Sequence, residues 1–584
     1  MLKVVWAHRP FLLSLSVVIG LLGAAACGGA EEPTPTPTAT LAPVVTSTIA
    51  TPTPTATATP TPMPAVKPKR GGVINYWSSD DPVSFDIPNA ASSRHSIHNA
   101  KLYNNLLWNP DGKSIAPDVA ESYTISTDGK VWTFKLRNDV RFQSYSDNPG
   151  PRDGTLLTAK DAAYSLKRMM GLVDGTTSER CGWIKEFIDI DRPDRGLAAV
   201  DDSTLQVYMS VPFAEFPNVL VLSHCGLSPD GTTKDMLKKR PYGSGPFKLK
   251  SSQRGALWVF ERNPDYFEEG VPYLNEIQNI IFKGGSAIIQ AAFLTGRLDI
   301  DNTAPDPDNK ASYDKMVAEG KVVLDRMPGT CTVQGLYMNS TKPPFNNPKL
   351  RKAVHLALDR KGYINAVFDG EGVPVTFVPT GDVPWFRTEE DVWKLPGYRQ
   401  PKDQDLAEAK RIMAEEYPSG LEVKLLARDS SNYPAMAEFN AGELKKIGIN
   451  ATIEIQTSAV LFPNLSNWKY DLASYCMTMI TMTAAEQFGS YYITGGSRNW
   501  IGYSKPKIDE LFPRMVAASG AEKVALIREM ERMMWEDIAY APMAVEIGAE
   551  SRYAYVQNYP TADPRKGFSN YSTQRWSLIW RSDV

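Results

Sequence analysis

The sequence predicts an α/β fold spread over more than one domain, and three observations predict it. Short runs of alternating apolar and polar residues recur between stretches of helical period almost throughout the chain. The body from about Pro68 to Val584 exceeds what one hydrophobic core ordinarily organises. Material to bury is ample, with 42% hydrophobic and 10% aromatic residues.

The chain opens on Lys3, His8 and Arg9, followed by an apolar run from Phe11 to Ala26. That run is shorter than the ~20 residues that cross a bilayer but suits the apolar stretch of an export signal, so residues 1–26 read as removable. It stops at Ala-Ala-Ala-Cys, with Cys27 before two glycines. Between Glu32 and Lys67 there is no charge, and Thr alternates with Pro. Proline fixes φ and withholds a donor, so residues 27–69 read as a disordered, semi-rigid spacer, about 3.1 Å per residue where extended.

After Gly71-Gly72, VINYW alternates as a strand does. Residues 97–108 are expected to be a helix, with Ile97, Leu102, Leu106 and Leu107 among polar neighbours. Two alternating runs follow, joined as a hairpin at Thr127-Asp128-Gly129-Lys130. Thr158 caps a helix to about Met170, with Asp161 near its positive end and Lys167 and Arg168 near its negative end. A helix from Ser286 to Thr295 is closed by Gly296. Two later helices, from Pro348 to Leu358 and from Pro434 to Lys446, place proline where the first helical residue needs no donor.

Acidic and basic residues, 66 against 63, are mixed along the chain for a net charge of −3. No basic stripe offers itself to nucleic acid. The cysteines Cys27, Cys181, Cys225, Cys331 and Cys476 show no metal-ligand spacing, and Cys181 with Cys225 is the preferred disulfide because both fall in one early subdomain. His95 and His98 can share a helix face, but no third ligand accompanies them, so neither nickel nor haem nor any other cofactor is expected. GxSxG and HExxH are missing, no Ser-xx-Lys set stands in a convincing context, and the pairs Asp80-Asp81 and Glu389-Glu390 sit in turn-like or charged runs. An extracytoplasmic hydrolase is therefore the weaker alternative, and the chain is read as no enzyme.

The small residues before Cys27 resemble the lipobox of bacterial lipoproteins, with Ala24 where Leu is usual. The resemblance implies a diacylated Cys27 and a body tethered to the membrane in the periplasm or at the cell surface. An ordinary signal peptide cut near Ala26 is the alternative, and it too places the body outside the cytoplasm.

Nine pieces then follow one another in a telling order: PDVAESYTISTDGKVWTFKLR from Pro117, Val140-Arg141-Phe142, the helix Thr158–Arg168, GSGPFKL from Gly243, RNPDYF from Arg262, AAFLTGRLDI from Ala291, PPFNNPKLRKAVHLALDR from Pro343, GINATIEI from Gly448 and NWIGYSKPKIDEL from Asn499. In this order they resemble the family 5 extracytoplasmic solute-binding proteins, the dipeptide, oligopeptide and nickel receptors of ABC importers. The resemblance implies a two-lobed periplasmic-binding-protein-like fold of class II. Lobe 1 would span 70–335 and 545–584, with an extra subdomain at about 105–240, and lobe 2 would span 336–544. The chain would cross between lobes near Leu336–Ser340 and Ala541–Glu546. A monomer handing a peptide-like or other small solute to ABC permease subunits is implied, with a sensor or chaperone using the same cleft as the alternative.

In dipeptide-binding relatives a carboxylate after the YDL-type strand pairs with the ligand ammonium. Here the stretch from Tyr470-Asp471 carries no acid before Glu486, and Ile480 or a neighbour stands where the aspartate should be. A buried ammonium without a counter-charge costs several kcal/mol, of order those measured for broken buried pairs. Tyr475, Met477 and Met479 are expected to face the cleft instead, although alternation must send some residues of this strand into the core. Arg428 falls where peptide-binding relatives keep an arginine for the ligand carboxylate, and its planar fork suits an anion. A surface ion pair with Asp429 or Glu438 is the alternative. Tyr76, Trp77, Trp385, Phe386, Trp500 and Tyr503 complete the candidates, as aromatic walls for a partly apolar ligand.

Overall fold

Val73–Ser78, the first alternating run, is the edge of a four-stranded sheet ordered Val73–Ser78, Glu276–Ile281, Leu257–Arg262, Phe247–Gln253, in which the first pair is parallel and the others antiparallel. The computed structural model describes residues 67–584 except 80, 83, 90–92, 111–113, 147–149, 151, 179, 284, 329–332, 382, 430–431, 480 and 561–574. The expected signal, Cys27, nearly all of the spacer, Cys331 and Ile480 lie outside the described residues. No described helix is long and apolar enough to cross a membrane.

The expected hairpin heads a second, antiparallel sheet ordered Ala120–Ile125, Val131–Leu136, Thr204–Tyr208, Leu197–Asp201. Its turn is set by the Asp128 carboxylate, which accepts from the Ser126 hydroxyl at 2.6 Å and the Lys130 N–H at 3.1 Å. Gly129 takes φ +71°, where a Cβ would be strained. Helix Ala159–Met169 packs on this sheet, and the Asp161 carboxylate accepts from the Thr158 N–H at 2.7 Å to close its first turn. A disulfide joins Cys181 to Cys225 within the same module, as their placement in one subdomain suggested.

The helix expected over 97–108 is displaced, running instead from Ser93 to Leu102. Asn104 and Asn105 end it, because the buried Asp118 carboxylate accepts from the Asn104 amide at 3.0 Å and the Asn105 N–H at 3.0 Å, pulling the chain into a strand at Leu107–Trp108. The Leu102 carbonyl is taken by the Gly245 N–H at 2.9 Å. That contact explains the GSGPFKL motif, since a Cβ on Gly243 or Gly245 would overlap the Leu102 backbone.

A five-stranded sheet organises the later chain in the order Ile449–Gln456, Leu421–Arg428, Leu472–Met477, Val333–Met338, Ala541–Pro542. Ala544–Tyr553 then leaves it to pair with Ile300–Asp301 and Val322–Pro328, while its first residues pair with Gly372–Pro374. The chain thus passes between these sheets twice, between Pro328 and Val333 and between Pro542 and Ala544. The first passage precedes Leu336–Ser340, because Val333–Met338 already pairs along its length with Leu472–Met477.

Glu550 lies buried on the strand Ala544–Tyr553, opposite Asp325 and near Arg552, with one carboxyl oxygen lacking a partner among the described residues. Burial pushes its pKa up to about 8, with Arg552 opposing and Asp325 and Asp301 reinforcing the shift.

Two predictions follow from this packing. Gly245→Ala forces apart two backbones and is expected to lower the stability by about 1–3 kcal/mol, read as a lower midpoint in chemical denaturation. Between its ordinary value of 4.5 and about 8, Glu550 keeps its proton when folded and releases it when unfolded, so stability falls as pH rises through that window. Glu550→Gln is expected to remove up to about 1.4 kcal/mol per pH unit of that slope and to be more stable than the parent chain at pH ~8, measured by denaturation across pH.

Candidate ligand cleft

Strands Ile449–Gln456, Leu421–Arg428 and Leu472–Met477 run parallel, and Val333–Met338 runs against Leu472–Met477 and Ala541–Pro542. Their directions bring Gln456, Arg428, Met477, Val333 and Pro542 to one edge of the sheet. The carboxyl edge of such strands is where open α/β sheets place ligands, because the following loops diverge there. Ala427 pairs with Ser474, so the next residues along each strand set Arg428 beside Tyr475.

Around Tyr475 the loops and helices after these strands deliver a cluster of rings. Tyr433, the first residue of helix Tyr433–Lys445, stacks on it with centroids 5.1 Å apart and planes 14° apart. Phe462 meets it edge-on at 5.8 Å and stacks at 5.8 Å on Trp500, itself 5.8 Å from Tyr475. Tyr337 approaches edge-on at 6.3 Å. Such geometries suit ring quadrupoles. The Trp500 indole N–H and the Tyr337 hydroxyl are buried, on residues only 3% and 1% exposed, with no hydrogen-bond partner among the described residues.

Three guanidinium groups gather at the same place. Arg428 is half-buried, and its Nε, buried, likewise has no partner among the described residues. Arg498 lies 4.6 Å from the Trp500 ring and 5.8 Å from that of Tyr491. Arg180 arrives from the disulfide-bonded module, where Nη1 donates to the Thr478 carbonyl at 3.1 Å. The Tyr491 hydroxyl donates to that carbonyl at 2.9 Å and accepts from the Thr478 N–H at 3.0 Å. Burial raises the Tyr475 phenol above its ordinary pKa, while Arg428, Arg498 and Arg180 all pull it down. Glu486, the first acid after the strand, is buried and accepts from the Thr481 N–H and hydroxyl, each at 2.6 Å.

Of the residues singled out from sequence, Arg428, Tyr475 and Trp500 are brought together here. Met477 and Met479 are both buried, and Met477 accepts from the Tyr492 hydroxyl at 3.3 Å. Tyr76 packs edge-on against Trp576 at 5.5 Å in the core of the first sheet, and Trp77, on the opposite face, joins a core with Phe282 and Phe293. Trp385 and Phe386 pack on each other at 4.6 Å, and the Phe386 carbonyl accepts from Arg528 at 2.6 Å. The Tyr503 hydroxyl donates to the Asp537 carboxylate at 2.9 Å. The Arg428 Nε accordingly makes no hydrogen bond to Asp429 or Glu438. Cys476 is disulfide-bonded. His98 is buried 5.5 Å from Phe260, the His95 side chain lies outside the described residues, and no group of three metal-ligating side chains occurs among the described ones.

Sequence reasoning missed Arg180, Arg498, Tyr433, Phe462 and Tyr337. Arg498 stood beside the NWIGY motif, and its place next to Trp500 was the available signal. Arg180 is 298 residues from Thr478, and nothing local marks it.

Two sheets joined by two chain passages, with ring-lined and cationic loops at a strand edge, define a two-lobed solute-binding protein. Residues 114–499 match the bacterial extracellular solute-binding proteins, family 5, middle region, and the chain belongs to that family. The periplasmic oligopeptide-binding protein OppA of Haemophilus influenzae is 25% identical over 511 residues, covering 83% of this chain and 90% of the relative. The probable D,D-dipeptide-binding periplasmic protein DdpA of Escherichia coli is 24% identical over 472 residues, covering 77% and 81%. Among solved structures, Haemophilus influenzae OppA in complex with RPPGFSPFR superposes with a TM-score of 0.74 at 22% identity, covering 88% of this chain and 99% of that one. AgaA from A.tumefacien R10 with agropinic acid gives 0.72 at 24%, with the same coverage, so the fold is shared. The members named here are binding proteins rather than enzymes.

Proposed function

We propose that this chain is the lipid-tethered receptor of an ABC importer, which closes two hinged lobes over a small organic solute and hands it, unaltered, to the membrane permease. The observation that carries this reading is the pair of chain passages beside the ring-lined edge, since two adjacent crossings form a hinge. We divide the body into a first lobe of residues 70–335 with 545–584 and a second of 336–544, and the strand pairing argues for moving the first boundary ahead of Val333. Relatives named for oligopeptides, dipeptides and glutathione, and a neighbour holding agropinic acid, set the range of ligands to consider.

Contacts among the described residues span the proposed lobes away from the hinge. Lys523 pairs with Glu215 at 2.8 Å, Phe187 meets Phe512 at 5.5 Å, and Arg180 reaches Thr478. A solute gripped from both sides adds its differential affinity to these contacts and favours the closed state.

Small-angle scattering on the ligand-free chain is expected to show a larger radius of gyration than after adding back the solute released from natively purified protein; an unchanged radius, or chemical turnover of that solute, would count decisively against the receptor reading. Cys27→Ala is expected to move the exported protein from the membrane to the soluble fraction and to abolish labelling by radioactive palmitate. Retention in the membrane would argue against the lipid tether.

A further inference from the structure

We infer that the affinity of this receptor is set in part by a clasp outside the ring cluster, in which Phe187 and Glu215 of the disulfide-bonded module meet Phe512 and Lys523 of the second lobe and favour closure before any solute enters. The inference rests on the receptor reading and goes beyond it, by assigning affinity to residues that are not part of the proposed ligand site.

The module is bound to the first sheet through backbone groups. The buried Gln143 amide donates to the Gly245 and Phe247 carbonyls at 2.9 and 2.8 Å, the Gln143 N–H donates to the Gly243 carbonyl at 2.8 Å, and the Leu249 N–H donates to the Tyr145 hydroxyl at 3.2 Å. Arg168 adds its grip on Asp86 at 2.5 and 2.9 Å. Buried hydrogen bonds are costly to leave unmade, so the module moves with the first sheet.

Toward the second lobe the module presents side chains. Phe187 ends the short turn Gly182–Phe187, fixed by the disulfide from Cys181 to Cys225, and its ring lies 5.5 Å from that of Phe512 on helix Pro506–Ala517. Phe213 at 5.0 Å and Trp183 at 6.1 Å back Phe187 from within the module. Phe187 and Phe512 are only 2% and 5% exposed and belong to one contiguous apolar core, so parting the lobes opens a face of each ring to water. Two residues beyond Phe213, the Glu215 carboxylate accepts from Lys523, near the start of helix Gly520–Asp537, at 2.8 Å. Both side chains of that pair are mostly buried, which protects it from screening by salt.

An apolar contact and an ion pair that exist only while the lobes are together favour the closed state whatever lies between them. The observed affinity is the intrinsic affinity of the closed form multiplied by the fraction of ligand-free chain already closed. The clasp therefore raises affinity for every solute alike and selects none.

The test places spin labels at Val200→Cys in the module and Lys410→Cys in the second lobe, both exposed, in the soluble Cys27→Ala chain, and measures their separation by pulsed electron resonance. Without solute the parent is expected to show two separations, the minor one matching that seen after adding back the solute released from natively purified protein. Phe512→Ala is expected to raise the open-to-closed ratio about ten-fold, the size of a lost aromatic pair, and Lys523→Glu about three- to ten-fold. Each is expected to weaken the released solute by the same factor in calorimetry, and joining Glu215→Lys to Lys523→Glu is expected to restore both readings, which a merely structural role for Lys523 would not do. Should Phe512→Ala fail to fold, the charge exchange carries the test, with the ligand-free unfolding midpoint as control. A ligand-free parent with only the longer separation, variants that keep the parental ratio, or a charge exchange that restores nothing would overturn the clasp and leave the receptor standing. The receptor reading, and the clasp with it, fails only if the released solute also leaves the parental separation unchanged.

Discussion

The constraint on which the structure depends is that at its second passage the chain moves between its sheets by strand and not by long loop. Only Met543 separates Ala541–Pro542, paired with Val333–Met338, from Ala544–Tyr553, paired with Val322–Pro328. Backbone groups are satisfied up to both sides of the bend, and the Met543 N–H itself donates to the Gln334 carbonyl at 2.8 Å. A bend so short lets few dihedrals change, so rotation of one sheet against the other is the motion that its backbone allows. The ring cluster sits at the strand edge nearest that bend, where a small rotation opens or shuts the space above it.

The fold was legible where local chemistry decides it. Thr158 with Asp161, Asp128 with Gly129, and Pro348 each act within a few residues, and the elements they start or turn occur as read. The helix over 97–108 was misread because its ending depends on Asp118 and Gly245, partners supplied by other parts of the chain. The same distinction runs through the site. Tyr475 and Arg428, read from sequence near the ends of two strands, do lie side by side on neighbouring ones, whereas Trp77 carried the same apolar signal and is spent on a core with Phe293. A tryptophan's sequence neighbours do not say which surface its ring covers.

Arg180 shows why a cleft is harder to read than a fold. Its role depends on a contact across the whole architecture, and its own segment shows only a short turn beside Cys181. The disulfide from Cys181 to Cys225 fixes that turn in its module, so a cation with no local marker is nonetheless held at a defined height above the strand edge.

The manner of holding these cations matters more than their number. A buried arginine is usually stabilised by a carboxylate, and the pair then has little charge left for a ligand. Such a pair occurs at Arg168, which is gripped by Asp86 at 2.5 and 2.9 Å. Arg498 lies over the faces of Tyr491 and Trp500, at 5.8 and 4.6 Å, whose quadrupoles attract a guanidinium. Guanidinium tolerates this better than ammonium does, because it is more weakly hydrated and less is lost when water leaves.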